Sequence, residues 1–126
     1  CSIKGPNEVV TMSDECLFCK IVSGNIPATV VYQDERLLAF KDINPKAPTH
    51  ILVIPRTHIA TLNDLTADSD AMVGEMVRCA AKIAKDLGHA ESGYRTLLNC
   101  NSDGGQTVFH IHLHLLAGRY MTWPPG

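Results

Sequence analysis

The stretch FHIHLHLL, residues 109–116, places three of the chain's six histidines at His110, His112 and His114, with one apolar residue between neighbours. Whether this stretch is helix or strand decides what surrounds it. On a helix, alternate residues fall ~200° apart, so His112 would face away from His110 and His114 and no apolar face would form. On a strand the sorting is complete: the histidines share one face, and Phe109, Ile111, Leu113 and Leu115 share the other. The pattern predicts a strand over 108–118, with an apolar face turned to a core.

The flanking segments extend this into a sheet. Residues 29–43 read as two strands joined by a polar turn at 33–35, a hairpin. Residues 44–48, NPKAP, form a loop set by two prolines. THILVIP, 49–55, is a largely apolar strand suited to a central position, and 94–100 is another strand. Between these lies one long helix. In residues 71–88 the apolar side chains Met72, Val73, Met76, Val77, Ala80, Ile83, Ala84 and Leu87 follow a 3.6 period. Asp68 or Ser69 can cap its start, and Gly88 ends it. A shorter helix is predicted at 16–24, closed by Gly24. Strands in hairpin order with one long and one short helix indicate an α+β domain built on a mostly antiparallel five-stranded sheet.

At 126 residues one domain is expected, over 12–126, with 1–11 an aperiodic extension or tag remnant. The net charge of −2, with no basic run, argues against a nucleic-acid polymer as partner. No apolar run reaches the ~18–20 residues of a membrane span. Five cysteines, an odd number, do not form a secreted disulfide framework and fit a reducing, cytoplasmic setting.

Three imidazoles on one strand face lie ~6.6–7 Å apart between neighbours and ~13 Å end to end. With metal–nitrogen bonds of ~2.0–2.1 Å, one ion could take two of them but hardly all three. A half-buried strand that carries histidine by chance is the bland alternative. A catalytic row gives each imidazole a job. Neutral imidazole attacks phosphorus, and its neighbours orient it and move protons. The upstream turn SDGGQT, 102–107, supports a phosphate nearby. It offers N–H groups at Gly104 and Gly105, Gln106 and the Thr107 hydroxyl. A nucleophilic imidazole with a pKa near ~6.5 must be neutral to attack, so activity is expected to fall in mild acid.

HIHLHLL, 110–116, matches the histidine-triad pattern, in which histidines alternate with apolar residues. The likeness runs over about residues 16–126 and includes the closing WPPG. The chain resembles the Hint branch, the histidine-triad nucleotide-binding proteins. That resemblance implies a HIT-like fold that pairs into a homodimer with a continuous sheet. It also implies hydrolysis of the P–N bond of purine nucleoside phosphoramidates, giving a nucleoside monophosphate such as AMP. Its site residues carry over as follows: His112 as nucleophile, His114 assisting at the phosphate, His110 orienting the site and His50 as the fourth histidine. Asp42 and Ile43 would meet ribose and base, with Phe18 and Leu52 lining the base pocket. Asn99, Gly105, Gln106 and Thr107 would contact phosphate and leaving group. Thr107 stands where close relatives commonly carry serine. Trp123 would influence substrate choice from the tail. No cofactor is required for this chemistry. The rival functions are dinucleoside polyphosphate hydrolysis on the same row, and a nucleotide-responsive binding protein with little catalysis.

Cys16 and Cys19 form a CxxC, which alone supplies two ligands of a tetrahedral zinc site. With no second CxxC, histidines would have to complete it. The resemblance to bacterial-type members implies His58 and His110, hence a structural zinc on Cys16, Cys19, His58 and His110. The other reading is two buried thiols of apolar behaviour. His89 is expected in solvent at the end of the long helix.

Overall fold

The computed structural model describes residues 16–126. Its elements are α1 (Leu17–Val22), β1 (Val30–Gln33), β2 (Leu37–Lys41), β3 (Thr49–Pro55), α2 (Asp70–Asp86), β4 (Tyr94–Leu98), α3 (Asn101–Gly104) and β5 (Leu113–Ala117). The strands form one antiparallel sheet of five in the order β1-β2-β3-β5-β4. The α+β architecture read from the sequence is therefore the one observed, with α2 joining β3 to the edge strand β4. Among the described residues, no helix is long and apolar enough to cross a membrane.

Local chemistry explains the joints. Asp34 Oδ1 accepts from the N–H groups of Arg36 and Leu37, both at 2.8 Å, which turns β1 into β2. Helix α2 ends where His89 N–H reaches Ala84 O and Gly88 N–H reaches Lys85 O, with Gly88 at φ +86°. Only the missing Cβ makes that left-handed C′ position inexpensive.

The inner strands β2, β3 and β5 bury both faces, and alternation along them sorts the two cores. Leu37, Ala39, Ile51, Val53, Leu113 and Leu115 pack with Ile111 against Met76, Ala80, Ile83 and Ala84 of α2. Leu38, Phe40, Leu52 and Ile54 pack on the opposite face against Cys16, Phe18 and Cys19 of the α1 segment. Burying each Leu, Ile or Met is worth about 1.5–3 kcal/mol. The histidine-bearing face of β5 is thus the face covered by the short helix.

Several expectations need correction. The last strand is shorter than 108–118: pairing starts at Leu113, and His110 to His112 approach it as unpaired chain. The side chains still alternate between faces there, since Ile111 joins the α2 core, but Phe109 precedes the alternation and is half exposed. Within the expected glycine turn, residues 101–104 form one helical turn. Val77 on α2 and Leu87 at its C-cap are about half exposed among the described residues. Ser69 occupies the α2 N-cap position without a side-chain cap bond. His89 is half-buried, its Nε2 3.0 Å from Thr49 Oγ1, and so ties the end of α2 to β3. The expected extension 1–11 lies outside the described residues.

Candidate active site

His112 is 7 % exposed, and its Nδ1 lies 2.8 Å from the main-chain carbonyl of His110. A carbonyl only accepts, so Nδ1 carries the proton and Nε2 carries the lone pair. The Phe18 ring stands edge-on to this imidazole, with centroids 5.0 Å apart. Burial pulls the His112 pKa below the ordinary imidazole value, against the opposing pull of the carbonyl bond and Asp42.

A second chain of protons starts outside the histidine row. Lys46 N–H donates to His50 Nδ1 at 3.0 Å, so His50 bears its proton on Nε2. His50 Nε2 lies 2.9 Å from His114 Nδ1, so it donates there, and His114 must carry its own proton on Nε2. That Nε2 is the one buried side-chain nitrogen or oxygen among the described residues with no hydrogen-bond partner. Leaving such a donor unmet costs about 1–3 kcal/mol, which points to a ligand as its partner. Asp42 Oδ2 sits 3.4 Å from His50 Nε2, while Asp42 Oδ1 accepts from Asn44 N–H at 2.7 Å. Desolvation drives His114 down to about 4 and also lowers His50, so both are neutral at pH 7.

His110 does something different. Its ring is wholly buried, and its Nε2 donates to Pro55 O at 2.7 Å, leaving the Nδ1 lone pair facing sulfur. Nδ1 is 3.4 Å from Cys16 Sγ and 3.5 Å from Cys19 Sγ, and His58 Nδ1 is 3.3 Å from Cys19 Sγ. These four donor atoms lie within 4.8 Å of one another. A tetrahedral zinc with Zn–S of ~2.3 Å and Zn–N of ~2.0–2.1 Å has S···N edges of about 3.5 Å, so the spacing fits. The cluster can hold a metal. Cys19 is disulfide-bonded in this structure, so holding one requires that bond to be reduced. His110 thus enters the catalytic row through its carbonyl, and its ring belongs to the cysteine cluster.

The other expected contacts divide. Phe18 and Leu52 are buried at 4 % and 5 % exposure and support the imidazoles, whereas Ile43 is 91 % exposed. Asn99 is half-buried and Thr107 exposed, and neither side chain makes a hydrogen bond with the described residues. Gln106 is bonded within the chain. Its Oε1 accepts from Asn101 N–H at 2.9 Å, and its Nε2 donates to Ala60 O at 2.7 Å and Val108 O at 3.1 Å. Its main-chain N–H is bound to Asn101 O, as that of Gly105 is to Ser102 O. Gln106 therefore braces the loop from inside, and the Gly105 N–H is spent on closing α3. Trp123 is exposed, with the Arg95 guanidinium 5.9 Å from its ring and Arg95 Nη2 bonded to Thr122 O, which fixes the tail to β4. Residues 46, 55 and 59 went unnoticed in the sequence because they act through main-chain groups.

A groove of about 480 Å³ joins His58, Ala60 and Cys16 to Thr107, Val108 and Phe109. A larger one, about 640 Å³, lies between the β1–β2 hairpin and α2 and contains no histidine. The chemistry argued above belongs to the histidines, not to the larger groove.

The model of the HIT domain matches residues 23–121. The chain belongs to the HIT family. This HIT protein is 52 % identical over 108 residues to a purine nucleoside phosphoramidase of Escherichia coli K12, covering 86 % of this chain and 91 % of that one. Its fold matches the crystal structure of a HIT family hydrolase from Legionella pneumophila, with a TM-score of 0.88 and 57 % identity over 89 % of this chain and all of that one. A Zn-bound histidine triad family protein from Mycobacterium smegmatis matches with a TM-score of 0.74 at 39 % identity, covering 85 % and 77 % of the two chains.

Proposed function

We propose that this HIT protein is a hydrolase that splits the P–N bond of purine nucleoside 5′-phosphoramidates through a nucleotidyl-His112 intermediate. The observation that carries the reading is the pair of locked tautomers: a lone pair on His112 Nε2 beside an unmet N–H donor on His114 Nε2. The named activity of the 52 % identical relative points to the same chemistry.

His112 Nε2 attacks phosphorus, and the P–N electron pair leaves with the amine, which takes a proton from solvent. Water then attacks phosphorus and gives up a proton to solvent, the Nε2–P electron pair returns to Nε2, and the monophosphate leaves neutral imidazole behind. His114 serves as a hydrogen-bond donor to the phosphoryl group. It is no proton reservoir, because losing its Nε2 proton while neutral would leave an imidazolate. This narrows the proton-transfer role expected from the sequence. Asp42 and Ile43 meet the ribose and base, Phe18 and Leu52 back the pocket, and Asn99 and Thr107 supply phosphate contacts.

The same reading takes AMP-type nucleotides as ligands, a homodimer as the working form and the cytoplasm as the setting. Among the described residues, strand β4 ends the sheet with one side unpaired, and Val77 of α2 is half exposed, which suits a second copy extending the sheet. Sedimentation at micromolar concentration tests the dimer. With Cys19 reduced, the cysteine cluster would hold a structural zinc on Cys16, Cys19, His58 and His110.

The decisive experiment is steady-state hydrolysis of an adenosine phosphoramidate with a fluorescent amine, wild type beside His112→Asn. Turnover by wild type with a loss of about 10⁴-fold or more in the variant supports the reading. Two inert proteins that both bind AMP would give the lead to a nucleotide-binding role.

A further inference from the structure

One peptide unit, that joining His110 to Ile111, connects the cysteine cluster to the nucleophile. Its carbonyl accepts from His112 Nδ1 at 2.8 Å, and its N–H, on Ile111, donates to Ile59 O at 2.8 Å. Both flanks of this unit lead directly to the cluster. His110 contributes Nδ1 to it, and Ile59 follows His58, which contributes the other imidazole. The unit lies just before β5, outside the ladder that starts at Leu113, so sheet pairing does not hold it. What fixes it is the Ile59 bond together with the anchoring of the His110 ring on Pro55 O and the two sulfurs.

We propose that the Cys16–Cys19–His58–His110 cluster, when it holds zinc, positions the His112 nucleophile by clamping the His110–Ile111 peptide from both sides. His110 is then a positioning residue through its carbonyl as well as a ligand through its ring. A metal bound to His58 and His110 ties together the two chain segments whose main-chain groups hold that peptide. The clamp sets the direction of the carbonyl, the carbonyl sets the His112 tautomer, and the tautomer leaves Nε2 bare for phosphorus. Metal occupancy and nucleotide affinity are then linked, and linkage is reciprocal: zinc tightens nucleotide binding by the same factor as nucleotide tightens zinc binding. The proposal rests on His112 being the group that meets the phosphate, as in the function proposed above.

The test uses the full chain under reducing conditions, loaded with zinc or treated with a chelator. Histidine ¹⁵N spectra report the His112 tautomer, and calorimetry reports the AMP Kd. The expected result is a single Nδ1–H tautomer of His112 with zinc, a mixture of tautomers without it, and an AMP Kd weakened about 5-fold or more on removal. Unchanged His112 signals and an AMP Kd constant within about 2-fold, while His110 signals move, would overturn the proposal. So would failure to take up one zinc per chain at saturating metal. If the chelated chain loses its cooperative melt, His58→Gln replaces it. That variant keeps Cys16, Cys19 and His110, and it is titrated with zinc to the same two readouts. Phosphoramidate hydrolysis by the zinc-loaded chain separates the two ideas. Coupling without hydrolysis defeats the hydrolase and keeps the clamp; hydrolysis without coupling does the reverse.

Discussion

His50 Nε2 lies 2.9 Å from His114 Nδ1, although 64 residues separate them in the chain. The two sit on neighbouring strands, with Leu52 paired opposite His114 and His50 opposite Leu116. Because Lys46 N–H already occupies His50 Nδ1, the contact has one direction only, and it fixes the His114 proton on Nε2. Replacing His50 by Gln removes the ring that transmits this order. His50→Gln is expected to lower kcat by about 10- to 100-fold while the chain stays folded, since orienting and proton-handling groups contribute about 10²–10⁴ at most. Steady-state kinetics with melting curves check this, and wild-type kcat in the variant would sink the tautomer argument.

The sequence alone set the fall in activity near the ordinary imidazole value, and burial moves it. Desolvation holds His114 at about 4, so it stays neutral well below pH 6.5, and burial also lowers His50 and the nucleophile His112 from the ordinary imidazole value. The acid limb of the activity profile is expected to have its midpoint below pH 6.5, displaced toward the His114 value of about 4. A profile that halves at pH 6.5 would show that these rings are better solvated than their burial implies.

The same depressed value predicts a stability trend. Between about 4 and 6.5 the unfolded chain binds a proton at His114 that the folded chain refuses, so stability rises with pH over that window. Above 6.5 the contribution is complete; it is lost as pH falls through the folded value. Denaturant midpoints taken from pH 7 to pH 4 should fall, and His114→Asn should fall less steeply.

Gln106 ties α3 to Ala60 and Val108 through three side-chain hydrogen bonds. Truncation leaves those main-chain partners unmet, at about 1–3 kcal/mol for a buried group. Gln106→Ala is expected to lose about 2 kcal/mol of stability and to raise KM more than it lowers kcat. Unchanged stability with a large loss of kcat would instead return Gln106 to direct contact with the reacting groups.

Gly118 follows β5 at φ +95°, and a Cβ there would stand 2.8 Å from Pro48 Cβ. Pro48 lies two residues before His50, so a shift there reaches the proton chain. Gly118→Ala combines the left-handed penalty with a clash and is expected to cost about 1–3 kcal/mol, read from the urea midpoint. A midpoint unchanged from wild type would mean that the NPKAP loop yields freely.

Much of this was legible in the chain itself. Period two in HIHLHLL and period 3.6 in residues 71–88 fixed strand and helix, because both patterns follow from local geometry and the need to hide one face. The CxxC spacing marked a metal-ligand pair for the same local reason. The resemblance had already set the His110 ring beside the cysteines, but the sequence could not tell that anchoring the ring there turns its carbonyl to His112, nor that Gln106 faces inward. Those outcomes depend on partners 94 and 46 residues away, Cys16 and Ala60. Nor could it choose the tautomers, which are set by Lys46 N–H and by the carbonyls of Pro55 and His110. Every residue but proline carries the same main-chain groups, so a sequence shows that they exist but not where they point. Which imidazole became nucleophile, donor or metal ligand was decided only when the tertiary fold brought those groups to the rings.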